Sequence, residues 1–132
     1  MEIIRSRPQT ASGPSEWFTG RTYIDAIAPT DTPSRLRLFQ VHFTPGSRTA
    51  WHSHPNGQVI HVTEGVGLVQ RRGGSVEEVR SGDTVRFDAD EEHWHGAAPN
   101  NFMTHLALHE ADEDGSDAKW GPQVTDEEYG TA

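Results

Sequence analysis

From about Arg21 to Glu110 the chain breaks every several residues at glycine, proline or asparagine, and the runs between the breaks are strand-length rather than helix-length. Arg35 to Phe43 alternates with the two-residue rhythm of a half-buried strand. Thr49 to His54 runs into Pro55-Asn56-Gly57, and Gln58 to Thr63 into an expected turn at Glu64-Gly65. Gly67 to Arg71 should turn at Gly73-Gly74 into Val76 to Arg80, and Ser81-Gly82 should lead to Thr84 to Phe87. His93 to Gly96 precedes Pro99-Asn100-Asn101, and Phe102 to His109 closes the series. Many short strands joined by tight turns predict an all-β barrel or sandwich. The length of 132 residues suits a single domain, and 13 Gly and 8 Pro supply the turns. Residues 8–20 read as an irregular lead-in, and 110–117 as a solvated acidic loop. Thr125-Asp126-Glu127-Glu128 has capping-box spacing and predicts a short helical turn.

Composition narrows the chemistry. A net charge of −9 argues against nucleic acid, which needs a basic footprint. With no cysteine, a metal site must draw on imidazole, carboxylate or amide groups. The opening Met1-Glu2-Ile3-Ile4-Arg5 lacks the apolar run of a signal peptide, and no stretch has the length of a membrane span. A cytoplasmic protein without membrane contact is the expectation.

Eight histidines remain to be explained. His52 and His54 are two residues apart, so on a strand they share a face. Gln58, beyond the Pro55-Asn56-Gly57 turn, can point back toward that face. His93 and His95 repeat the spacing, and His105 and His109 share a face with Met103 and Ala107. If these faces line one interior, it holds up to six imidazoles and an amide. A single strand histidine is most often a surface or hydrogen-bonded residue. Two His-x-His pairs beside turns favour ligation, because imidazoles packed into an apolar interior would otherwise leave nitrogens unsatisfied. His42 and His61 have the opposite strand parity and should lie outside the site.

The residues at 46–65 run Gly46, five residues, His52-Ser53-His54, three residues, Gln58, six residues, Gly65. This resembles the first motif of the cupin superfamily, with Gln58 where Glu is usual. Gly82, five residues, Asp88-Ala89-Asp90, two residues, His93 resembles the second motif. There Asp88 replaces the usual Pro, Asp90 the usual Gly, and Ala97 a usual Asn. The resemblance implies a double-stranded β-helix, the cupin jelly-roll barrel, as one domain over 1–132 with its core at about 20–110 and an extension at each end. It implies a divalent metal held by His52, His54, Gln58 and His93, often in a homo-oligomer. Replacing Glu by Gln leaves the ion its full charge toward an anionic ligand.

Longer stretches resemble a narrower group, small bacterial cupins that include the manganese-dependent hydroxynitrile lyases. These are Gly13 to Gly20, Arg48 to Gln58, Glu92 to Pro99, Met103 to Ala107 and Val124 to Tyr129. The resemblance implies cleavage or formation of cyanohydrins such as mandelonitrile. It also implies manganese, with Fe, Ni, Zn or Co as other occupants, and a homodimer or homotetramer. Cyanohydrin cleavage needs a base for the hydroxyl proton and an electrophile for the departing cyanide. His105 is the first choice for the base, with His95 as a relay and His109, where that group often has Gln, as a second acceptor. Phe39 and Val41 should shape the substrate pocket. A metal-dependent oxygenase or oxidoreductase, and a non-catalytic barrel that binds a small ligand, are the competing functions, since one fold hosts many.

Overall fold

The computed structural model describes residues 1–29, 31 and 33–130. In chain order its elements are β1 (Ala11–Ser12), β2 (Phe18–Thr19), β3 (Thr22–Pro29), β4 (Leu36–Phe43), β5 (Arg48–Thr49), β6 (His52–Ser53) and β7 (Gln58–Arg71). They continue with β8 (Glu77–Arg80), β9 (Thr84–Phe87), β10 (His93–Ala97), β11 (Met103–Glu110), β12 (Lys119–Trp120) and α1 (Asp126–Gly130). Every strand pairing among the described residues is antiparallel. The curled sheet runs β1-β3-β4-β11-β7-β10-β5-β2, with β8 and β9 also on β7, β6 on β10, and β12 on β6. This is the all-β jelly-roll barrel that the sequence predicts.

Strand β7 joins the two halves of the barrel. Its first half pairs with β11 and β9, its second with β10 and β8. The turn expected at Glu64-Gly65 is absent: the strand continues through a bulge. Thr104 opposes Glu64 while His105 opposes Val62, which leaves one extra residue on β7. That extra residue reverses the inside-outside alternation. Ile60 and Val62 face the interior before it, Val69 after it, and Leu68 packs outside. Gly65 has φ 82°, and a Cβ there would lie 1.9 Å from the Phe102 carbonyl oxygen, so the bend requires glycine.

Two apolar clusters result. Phe43, Ile60, Val62, Met103, Phe87 and their neighbours fill the barrel interior. Trp51, Leu68, Trp94, Val124 and Tyr129 form a second cluster, part of it contributed by the C-terminal segment. The capping box forms as expected: Thr125 Oγ1 accepts from Glu128 N at 3.0 Å, and Glu128 Oε1 from Thr125 N at 2.9 Å. Asp90, where the motif usually has Gly, takes the left-handed conformation at φ 63°, which aspartate tolerates better than most residues.

The extensions are less detached than the sequence suggests. The lead-in contains β1 and β2, and β2 pairs with β5; after the acidic loop, β12 pairs with β6. The C-terminal end is therefore stitched to the strand that carries His52, and the N-terminal end to β5 just before it. Among the described residues no helix is long and apolar enough to cross a membrane.

Candidate metal centre and cavity

Strand register brings the histidines together. His93 on β10 lies directly opposite His52 on β6, His109 on β11 opposite Gln58 on β7, and His105 opposite both Val41 and Val62. The two-residue spacing turns His95 to the same side as His93, as expected. One ring nitrogen from each of His52, His93 and His95 lies within 4.8 Å of the others, a group able to hold a metal ion. His54 stands beside it, its ring edge-on to His52 at 5.1 Å between centroids. Gln58 Oε1 lies 3.0 Å from His93 Nε2. The four sequence-derived ligands thus share His52 and His93 with the tightest group, while His95, expected to handle protons, comes as close as a ligand.

The hydrogen-bond pattern fixes which nitrogens are free. His52, His54 and His93 each donate Nδ1–H to a backbone carbonyl, of Ala50 at 2.9 Å, Asp117 at 2.7 Å and Glu91 at 2.8 Å. A carbonyl can only accept, so in each neutral ring Nε2 keeps its lone pair. This is the second-shell arrangement that orients metal-binding imidazoles. His54 Nε2 is buried with no hydrogen-bond partner, and so is His95 Nε2. His93 Nε2 and Gln58 Oε1 are both acceptors in this arrangement. At 3.0 Å they require a cation between their lone pairs, or the amide turned so that its NH₂ donates. Buried acceptors left open beside one another are the donor set a divalent ion fits.

Burial keeps these rings neutral. Desolvation, with repulsion from neighbouring imidazoles, holds His52 and His95 well below the ordinary imidazole value. Desolvation likewise pushes His54 to about 4 and His93 to about 3. Metal ligation needs the neutral ring, so at neutral pH these imidazoles are in the form that ligates.

Beside the histidines lies a cavity of about 260 Å³. That is roughly the liquid volume of nine waters, room for a small molecule of about ten non-hydrogen atoms. Phe39 and Val41 line it, and so do His52, His54, Gln58, His95 and His109. His105 does not line it. It is fully buried, and its Nε2 lies 2.9 Å from His95 Nδ1, so it reaches the cavity through His95. Burial pushes His105 down to about 4, well below the ordinary imidazole value. His42 and His61 stay outside, as predicted, bonded to Asp25 and Thr104 and to Thr84 respectively.

Sequence reasoning missed part of the wall. Trp17, Phe18, Asp117 and Trp120 line the cavity, and all come from the terminal extensions. Trp17 stacks on Trp120 at 4.9 Å, and Trp120 stacks on His52 at 4.6 Å. Large aromatics in otherwise polar segments were the available signal, because they need burial. Asp117 had none: within an acidic run it is indistinguishable from its solvated neighbours.

A cupin-domain family model matches residues 39–106, and the chain belongs to the cupin family. It is 49% identical over 130 residues to the (R)-mandelonitrile lyase of Granulicella tundricola, covering 98% of each chain. The crystal structure of a cupin-like protein from Thermotoga maritima superimposes with TM-score 0.85 at 35% identity, covering 97% of this chain and 95% of that one. A cupin-2 domain from Rhodospirillum rubrum follows at TM-score 0.72 and 14% identity, over 98% and 84%, a likeness of fold alone.

Proposed function

We propose that this cupin is a divalent-metal-dependent lyase that cleaves and forms cyanohydrins such as mandelonitrile. The observation that carries the reading is the set of neutral imidazoles whose Nδ1–H groups are tied to backbone carbonyls. Nε2 keeps its lone pair in each, that of His54 has no partner, and ring nitrogens of His52, His93 and His95 gather within 4.8 Å of one another beside an apolar cavity. The full-length likeness to a mandelonitrile lyase supports it. His52, His54, Gln58 and His93 are the proposed ligands, and manganese the proposed ion, with Fe, Ni, Zn or Co accepted by the same donors. When bound, the ion supplies positive charge for a substrate oxygen or for the departing cyanide.

The remaining chemistry belongs to the chain. In cleavage the hydroxyl proton passes to an imidazole, the oxygen electrons form the carbonyl, and the C–CN bond breaks with its electron pair on cyanide. His95 lines the cavity and shares a hydrogen bond with His105, so the pair can accept and hold that proton. His109 offers a second acceptor from another wall. Phe39, Val41 and the Trp17–Trp120 stack provide apolar surface for the organic substituent and exclude water. The same reading includes a homodimer or homotetramer in the cytoplasm, the assembly being measurable by light scattering.

The test is benzaldehyde release from mandelonitrile by protein loaded with manganese. Activity should vanish with a chelator and return with the ion. A loaded protein that releases none contradicts the reading; oxygen uptake with phenolic or diketone substrates would then favour the oxygenase alternative.

A further inference from the structure

His109 is held on three sides. Its ring lies between Phe39, at 6.0 Å and 22°, and His54, at 4.5 Å and 29°. Its Nε2 lies 3.2 Å from Asp117 Oδ2, and its Nδ1 is buried without a hydrogen-bond partner. The stacking fixes the plane of the ring but not its flip, because exchanging Nδ1 with the carbon across the ring leaves both stacked contacts intact. Nor does stacking select a tautomer. Only the contact with Asp117 does either.

We propose that Asp117 is a positioning residue that sets the flip and tautomer of His109, an inference that rests on the lyase reading of the cavity. An ionised carboxylate can only accept a hydrogen bond, so Nε2 of His109 carries the hydrogen. The neutral ring then keeps its lone pair on Nδ1, which has no other partner and belongs to a residue of the cavity wall. That nitrogen, buried in the wall, is the one hydrogen-bond acceptor the ring has left. Asp117 does two separable things. Its backbone carbonyl takes Nδ1–H of His54, and its side chain takes Nε2–H of His109. One residue of the C-terminal extension thereby orients a proposed ligand just beyond β6 and a proposed acceptor on β11.

The division between main chain and side chain makes the test selective. Asp117→Ala keeps the carbonyl on His54, so metal stoichiometry should not change. The turnover number should fall about tenfold, the scale on which outer-shell partners act. Asp117→Asn, whose amide oxygen still accepts, should recover much of the loss. In a His109→Gln background the Asp117→Ala loss should disappear, because the ring it orients is gone. Nitrogen NMR of labelled histidines in zinc-loaded, diamagnetic protein should show His109 as the Nε2–H tautomer, and Asp117→Ala should shift it to a mixture. The NMR readout does not need turnover, so it judges this inference even if the lyase reading fails. An unchanged tautomer in Asp117→Ala, or an equal loss with and without His109, overturns the proposal.

Discussion

The barrel buries polar groups in two places, and they are treated in opposite ways. Beside the second apolar cluster, Arg48 is only 5% exposed, yet every direction of its guanidinium is answered. It donates to the Val124 carbonyl at 2.8 Å, to Asp126 at 2.8 Å and to the Gly46 carbonyl at 3.4 Å, and lies 4.5 Å over the Tyr129 ring. Nearby, Trp51 donates to Glu128, Trp94 to Gln70, and the Tyr129 hydroxyl to the Ala97 carbonyl. In the histidine site the outward nitrogens of His52, His54 and His93 are answered by backbone carbonyls, while Nε2 of His54 and of His95 is left open. A buried polar group that is fully partnered holds a structure together; one left open costs stability and needs a ligand to justify it. The first region is a clasp that pins the C-terminal segment to the barrel. The second is a site.

His52→Ala attacks the open region and should have the largest effect. The protein should still fold, as judged by circular dichroism, but lose stoichiometric metal and more than about a hundredfold of its turnover. Retained metal would remove His52 from the ligand set.

Acid should come next, and it should act through the same region. His54, His93 and His105 are pushed by burial to about 4, about 3 and about 4, and His52 and His95 also lie well below the ordinary value. Below about pH 6.5 the unfolded chain takes up protons that the folded chain refuses. Metal-free protein should therefore have its full stability above that pH. It should lose at least about 1 kcal/mol per pH unit on acidification from there toward pH 4, as measured by urea unfolding. A flat profile would mean that the rings are not held neutral.

Arg48→Met keeps the aliphatic stem and strips the donors from the Val124 carbonyl. It should cost about 2–3 kcal/mol while leaving metal stoichiometry unchanged. Loss of metal in this variant would break the separation between clasp and site. Tyr129→Phe is the mildest change: removing one buried hydrogen bond to the Ala97 carbonyl should cost about 1 kcal/mol with turnover intact.

Much of the open region was legible in the sequence because its logic is local. The His52-Ser53-His54 and His93-Trp94-His95 spacings set the facing of each pair, and motif spacing picked Gln58 from the other polar residues. Parity also separated His42 and His61 from the site. What failed was non-local. The bulge in β7 hides behind Glu64-Gly65, which looks like a turn because glycine at positive φ serves both purposes. The position of His105 behind His95, off the cavity wall, was not legible because parity gives a face but not a depth along the barrel. Asp117, Trp17 and Trp120 escaped because only pairing of the terminal segments with β5 and β6 brings them to the cavity.

The central claim is that inward-facing lone pairs, left without protein partners, are there for one divalent ion. Equilibrium dialysis of chelator-stripped protein against manganese, read by elemental analysis, addresses it without reference to any substrate. The account predicts saturation at one ion per chain. A protein that takes up none at saturating manganese contradicts it.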